Sequence, residues 1–293
     1  KPDILHTNFI QYEGFIGALT GFSPIISMPW GSDVLVYPND SFLIRLITKY
    51  TFKKANMIQC DANIVKEKIM EIAKIPKSKI QVFPQLGIDL NKFNPDNKDN
   101  SIISQLGLDG ETTLIMTRTF KPVYGIEYFL EALVEVVKEI DLRVIICGDG
   151  PLKVKFEHFA KRNNIEKFIR FIGQVQNEDL PKYLNIADIY VSTSLSDGTS
   201  LSLLESMACG LPVVVSDVPA NLEWIKDGYN GFVIPRKDSV ILAEKIIGLS
   251  KNKELRHKFG ENNLRIAKER GDINENFKNL ESMYKKLVIM NDD

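Results

Sequence analysis

The segment Ser192–Asp217, STSLSDGTSLSLLESMACGLPVVVSD, decides the fold. It leaves one apolar strand, DIYVST, passes Asp197 in a loop, enters a helix that carries Glu205, and emerges into a second strand, PVVVS. Strand, helix and strand in that order make a parallel pair joined by a crossover. The Gly198-Thr199-Ser200 turn at the helix start offers backbone N–H groups and the positive end of the helix dipole, which together favour an anion. A local alternative stands beside this reading: Ser202 and Glu205 have the spacing of a capping box.

Outward from this segment the same alternation recurs. Upstream come DILH, a helix near Glu13–Thr20, PIISM, a helix near Ser41–Ala55, MIQC, a helix to Ala73, and IQVF. Pro84–Gln105, with Pro95, Asp96, Asn97 and Asn100, is polar and aperiodic and reads as an interdomain linker. Then follow TLIMT with a helix over Gly125–Ile140, RVIICG, FIRFIG, DIYVST, PVVVS and GFVIP, with helices over most of Ser239–Met290. The expectation is two α/β domains with parallel sheets and a cleft between them. Residues 1–88 form the first, 89–270 the second, and 271–293 a C-terminal helix that packs back toward the first. The chain opens on Lys1-Pro2 directly before a strand, so the first domain reads as beginning partway through.

Composition narrows the function classes. At 293 residues the chain is long for one core. A net charge of -1 argues against a general nucleic-acid binder. Cys60, Cys147 and Cys209 are scattered among apolar runs and read as reduced core residues of a cytosolic protein. No apolar run reaches the length of a membrane span. With no His and Cys at metal-ligand spacing, no protein metal site and no cofactor are expected.

In open α/β sheets, ligands bind where strands end at their carboxyl side. Arg118, Gly148, Gly173 and Asp197 each follow a strand and are expected on one rim. In TRTFKPVYG, Thr117–Gly125, Arg118 and Lys121 could hold phosphate oxygens, Arg by a bidentate grip and Lys as a point charge. The plain alternative is two solvated loop cations. Gly148-Asp149-Gly150-Pro151 reads as a tight turn into a helix, with Pro151 at the first helical position. Glu223, in VPANLEWIKDGYNGFVIP, reads as a helix-start residue. Asp33 in WGSDV and His6 after DIL are acceptor-side candidates, although an Asp after Gly-Ser also suits a turn. Acids for sugar hydroxyls and amides for phosphate are what a nucleotide-sugar site needs. Arg45, Lys49, Lys53, Lys54, Lys66, Lys68, Lys74, Lys77 and Lys79 face only Asp61, Glu67 and Glu71 in their segment. That is either a solvated helical surface or a patch drawn to anionic lipid head groups.

The acid-x7-acid pattern of Asp197 and Glu205, followed by MACGLPVV, resembles the signature of retaining GT-B glycosyltransferases of family 4. The resemblance implies two Rossmann-like domains facing a central cleft. It implies that Glu205 binds the donor ribose, that Asp197 contacts the transferred sugar, and that Arg118 and Lys121 stabilise the departing diphosphate. It also implies donor contacts from Gly148, Gly150, Gln174, Val175, Gly198, Thr199, Ser200 and Leu201, with no metal. The first acid of the family is usually Glu; Asp197 is shorter by about 1.5 Å, one carbon–carbon bond, which bears on the choice of sugar. Trp30 stands where the family commonly has His, so a histidine base is not expected. The implied reaction is transfer from a UDP- or GDP-sugar to a sugar or lipid-linked acceptor, in glycan, glycolipid or cell-surface polysaccharide synthesis. The implied location is cytoplasmic, with peripheral association at an anionic inner membrane face. A nucleotide-sugar binding module without turnover and a GT-B sugar-nucleotide epimerase are the alternatives.

Overall fold

The computed structural model describes residues 2–84, 87–99, 101–107 and 112–292. Lys1, Gln85, Leu86 and Asn100, which entered the expectations above, lie outside the described residues. The contacts divide the chain into two compact units, one of Lys1–Gly87, Ser196–Thr199 and Ile273–Asp293, the other of Ile88–Leu195 and Ser200–Asp272.

In the first unit, β1 (Leu5–Asn8), α1 (Phe15–Leu19), β2 (Ile25–Met28), α2 (Ser32–Leu35), α3 (Phe42–Lys54), β3 (Met57–Cys60), α4 (Asn63–Ala73) and β4 (Ile80–Val82) follow one another. The strands pair in parallel in the order β1-β2-β3-β4. All four residues of β3 are buried, as a parallel strand covered on both faces requires.

The second unit contains α5 (Ser101–Leu106), β5 (Thr112–Thr117), α6 (Ile126–Glu139), β6 (Leu142–Cys147), α7 (Lys153–Arg162), β7 (Ile169–Gly173) and α8 (Leu180–Leu184). It continues through β8 (Ile189–Ser192), α9 (Leu201–Ala208), β9 (Val213–Ser216), α10 (Pro219–Leu222), β10 (Gly231–Ile234), α11 (Ser239–Ser250) and α12 (Lys253–Arg270). Its sheet is parallel, in the order β10-β9-β8-β5-β6-β7. Side-chain alternation sorts β5 and β6 into two cores. Leu114, Met116, Val144 and Ile146 face α6, α7 and α11, whereas Ile115 and Ile145 face the side covered by α9 and α12. The helix α13 (Ile273–Asp292) returns to the first unit, where Met283 and Leu287 cluster with Ile26, Met57 and Phe83.

Three local expectations are corrected. Pro84–Gln105 is not a plain linker: Ile88, Phe93 and Ile102 are buried in the core beside α9, and Ile88 N–H donates to Gly271 O at 2.7 Å. The Asn and Asp residues that made the segment look irregular cap its turns, as where Asn94 Nδ2 donates to Asn91 O at 2.8 Å. Pro151 does not open a helix; α7 begins at Lys153 behind the turn. The capping box is also absent. Ser200, not Ser202, caps α9 by accepting from Leu203 N–H at 3.2 Å, which leaves Glu205 in the middle of the helix.

Candidate active site

The chain order of the larger sheet reverses between β5 and β8, which are neighbours although α6, β6, α7, β7 and α8 separate them in sequence. At such a switch point the loops on the two sides splay apart and leave room for a ligand. The loop after β5 carries Arg118, and the segment after β8 leads to Ser200 and α9.

Arg118 is buried and donates to Ser200 Oγ, and its guanidinium lies 5.0 Å from the Tyr124 ring centre. Ser200 Oγ is also 3.1 Å from Ser202 Oγ, which accepts from Tyr190 OH at 2.9 Å. A single hydroxyl thus caps α9 and fixes a cation at its N-terminal end. Lys121, in contrast, is exposed and precedes a short 3-10 turn, Pro122–Tyr124. Leu201, the first residue of α9, is partly exposed.

Glu205 is buried one turn into α9. Burial raises its carboxyl to about 7, while the nearby charge of Arg118, a hydrogen bond from Asn177 and the charge of Lys92 oppose that rise. Asn177 Nδ2 reaches Glu205 Oε1 at 3.3 Å, and Lys92 Nζ in turn donates to Asn177 Oδ1. Neither Asn177 nor Lys92 lies in a motif, so the sequence reading missed both. Asn177 does follow Gln174 and Val175 closely, and those two occupy the loop after β7, Gln174 exposed and Val175 packed on the core.

The glycines beside this loop are there for close approach. Arg118 N–H donates to Cys147 O at 3.0 Å, and Phe120 N–H to Asp149 O at 2.9 Å. A Cβ on Gly148, at φ 154°, would sit 2.0 Å from Arg118 O, and one on Gly150 2.8 Å from Phe120 O. Gly148 N–H donates to Gly173 O at 2.7 Å, which ties the ends of β6 and β7 together. Three of the four expected rim positions, Arg118, Gly148 and Gly173, therefore meet within the second unit.

Asp197 belongs by its contacts to the first unit, with Gly198 and Thr199. There the expectation of open amides fails at Thr199. Its N–H donates to Asp61 Oδ2 at 2.9 Å, and its hydroxyl to Asp61 O at 2.5 Å. Asp61 follows β3 directly and is buried; Oδ1 has no partner among the described residues. Burial raises Asp61 to about 7, opposed by the Thr199 bond and reinforced by Asp197 and Asp33. The carboxylate leaves no room at Gly198, where a Cβ would come within 2.6 Å of Asp61 Oδ2.

The acceptor-side candidates have structural partners. Asp33 is fully buried, its Oδ2 accepting from Ile10 N–H at 3.0 Å and its Oδ1 from Trp30 N–H at 2.8 Å. Burial still lifts it to about 6 against those bonds. Both oxygens are engaged by backbone, so the turn reading accounts for Asp33. His6 Nδ1 is 2.6 Å from Tyr284 OH, and burial lowers its pKa. Among the described residues, no group of three or more His, Cys, Asp or Glu could hold a metal ion, and no helix is long and apolar enough to cross a membrane.

Two parallel-sheet α/β units, one with a switch-point site that holds a buried Arg at the start of α9 and a buried Glu one turn further along it, define a protein of the GT-B class. The chain belongs to the glycosyl transferases group 1 family, whose model matches residues 98–265, and a glycosyl transferase 4-like model matches residues 1–62. It is 28% identical over 269 residues to an uncharacterised glycosyltransferase of Methanocaldococcus jannaschii, covering 91% of this chain and 70% of that one. It is also 28% identical over 269 residues to the UDP-Gal:alpha-D-GlcNAc-diphosphoundecaprenol alpha-1,3-galactosyltransferase of Escherichia coli, covering 87% and 68%. Two further curated relatives are spanned over 61% and 47% of their length. HepE of Anabaena, solved with UDP-glucose, has the same fold, with a TM-score of 0.86 at 19% identity over 97% of this chain and 79% of that one.

Proposed function

We propose that the protein is a retaining glycosyltransferase that moves a sugar from a UDP- or GDP-sugar to the hydroxyl of a sugar or lipid-linked acceptor. The observation that carries this reading is a buried guanidinium at the start of α9 whose charge reaches the buried Glu205 of the same helix. In this reading Glu205 accepts from the ribose hydroxyls, and Asp197 orients the transferred sugar. Arg118, with Lys121 and the Ser200 amide, offsets the charge that grows on the diphosphate as the glycosidic bond breaks. The acceptor oxygen then bonds to the anomeric carbon from the face the diphosphate leaves, and a phosphate oxygen takes the acceptor's proton. No protein base and no metal is called for. The galactosyltransferase relative acts on UDP-Gal and a diphosphoundecaprenol acceptor, and HepE was solved with UDP-glucose, which supports a nucleotide-sugar donor and a lipid-linked acceptor here.

The test is a panel of UDP-, GDP- and ADP-sugars incubated with the full-length protein and candidate acceptors. The expected result is nucleotide release matched by transfer, with the anomeric configuration kept in the product by NMR. Binding without release overturns the transferase reading. A new sugar-nucleotide would point to epimerisation instead.

A further inference from the structure

Lys92 and Asn177 stand 85 residues apart in sequence, yet they meet beside the buried Glu205 of α9. Lys92 Nζ donates to Asn177 Oδ1, and Asn177 Nδ2 donates to Glu205 Oε1 at 3.3 Å. All three residues belong to the second unit. The transfer chemistry calls on Glu205 but on neither Lys92 nor Asn177.

The two neighbours of the Asn177 amide decide its direction. An amide carries an acceptor at one end and donors at the other, and the two ends have nearly the same shape. With the ammonium of Lys92 against Oδ1, the NH2 group faces Glu205. Turned over, the amide would set its oxygen against a carboxylate and its N–H groups against a cation. Ammonium, carbonyl, NH2 and carboxylate thus follow one another with alternating polarity, and each bond polarises the next. With Oε1 held in this way, the plane of the Glu205 carboxylate is fixed, and with it the direction in which it accepts a hydrogen bond. The charge of Lys92 is also among those that oppose the burial-driven rise of Glu205.

Lys92 is itself anchored. It lies in the turn after Asp89, where the N–H groups of Lys92 and Phe93 both donate to Asp89 O, at 3.1 and 2.8 Å. Lys92 O accepts from Asn97 Nδ2 at 2.8 Å, and Phe93 is buried in the core beside α9. The Lys92 side chain is only 24% exposed, and its Nζ also lies 3.3 Å from Glu178 Oε1. The Glu178 side chain is 78% exposed, where an ion pair contributes little. The bond to Asn177, unlike that ion pair, reaches the buried carboxylate.

We infer that Lys92 is a positioning residue for donor binding: through the Asn177 amide it sets the orientation in which Glu205 accepts from a ribose. This rests on the reading of Glu205 as the ribose acceptor. The experiment is isothermal titration of the full-length protein with UDP and GDP and with their 2′-deoxy counterparts. The ratio of deoxy to ribo dissociation constants reads the hold on the 2′-hydroxyl. The wild type should prefer the ribo form, and Glu205→Ala should lose that preference. Lys92→Met should lower the ratio roughly three- to tenfold, the scale of one hydrogen bond, and Lys92→Arg, which keeps a donor, should restore most of it. Asn177→Ala should lower it as much, and Lys92→Met combined with Asn177→Ala no further, since Lys92 acts through the amide. Glu178→Gln removes the ion pair alone and should match the wild type, which separates the amide bond from a general loosening of the turn. A wild-type ratio in Lys92→Met, effects that multiply in the double variant, or a Glu178→Gln ratio as low as that of Lys92→Met overturns the inference and leaves the role of Glu205 intact. A wild type with no ribo preference for either nucleotide, or a preference that survives Glu205→Ala, overturns the reading of Glu205 and the inference with it.

Discussion

Arg118 donates to the Oγ of Ser200 while the same oxygen accepts from Leu203 N–H, so one hydroxyl both caps α9 and anchors the cation at its start. The cation is thereby held in place before any anion arrives, which is the preorganisation that makes electrostatic stabilisation effective. Arg118→Ala should lower kcat by about 100- to 1,000-fold, the scale for loss of one transition-state donor. Arg118→Lys should recover part of it, since a lysine cannot both bond Ser200 and grip two oxygens. Steady-state kinetics with the preferred donor decide this, and unchanged kcat in the alanine variant would dismiss the phosphate role.

Glu205 imposes a pH dependence on stability. Its folded pKa of about 7 lies above the ordinary 4.5, so the fold favours the protonated acid. The group's contribution is fully present below pH 4.5 and is lost as pH rises through 7, by up to about 3 kcal/mol at about 1.4 kcal/mol per pKa unit. Glu205→Gln should therefore be more stable than wild type at pH 8 and nearly equal at pH 4. Denaturant unfolding at the two pH values measures the difference.

The same carboxyl should link donor binding to proton release. Ribose hydroxyls favour the ionised form, so nucleotide affinity should fall as pH drops below about 7. Asn177→Ala removes a bond that opposes the rise and should move that midpoint upward. Isothermal titration in two buffers of different ionisation enthalpy reads both the affinity and the proton count.

Gly148→Ala should damage the fold near Arg118. The new Cβ would fall 2.0 Å from Arg118 O, where backbone must move, and the φ of 154° disfavours any side chain. A loss of at least about 2 kcal/mol is expected from strain and displacement together. A thermal melt that matched wild type would show that the loop yields more easily than its packing implies.

Asp197→Glu lengthens the reach toward the sugar by about 1.5 Å. The expected outcome is a change in the ratio of kcat/KM values across donor sugars with little change in nucleotide affinity. Equal losses for every sugar would separate Asp197 from sugar choice.

Much of this site was legible along the chain. Arg118 and Gly148 directly follow apolar strands and Glu205 lies on the helix after one, and alternation of strands and helices marks those strands without any knowledge of contacts. The α/β class, the parallel sheets and the motif-bearing loops were therefore determined by local pattern, because backbone hydrogen bonding and side-chain periodicity act over a few residues. Tertiary structure decided what local pattern does not encode. Asn177 meets Glu205 across 28 residues, and Asp61 meets Thr199 across 138, pairings that depend on which chain segments the sheets bring side by side. Ile88 and Phe93 looked like linker residues until their burial beside α9 showed them as core. In α3, apolar periodicity alone marks a face but not its direction; only packing revealed that the threonines turn inward and Phe42 and Leu46 outward.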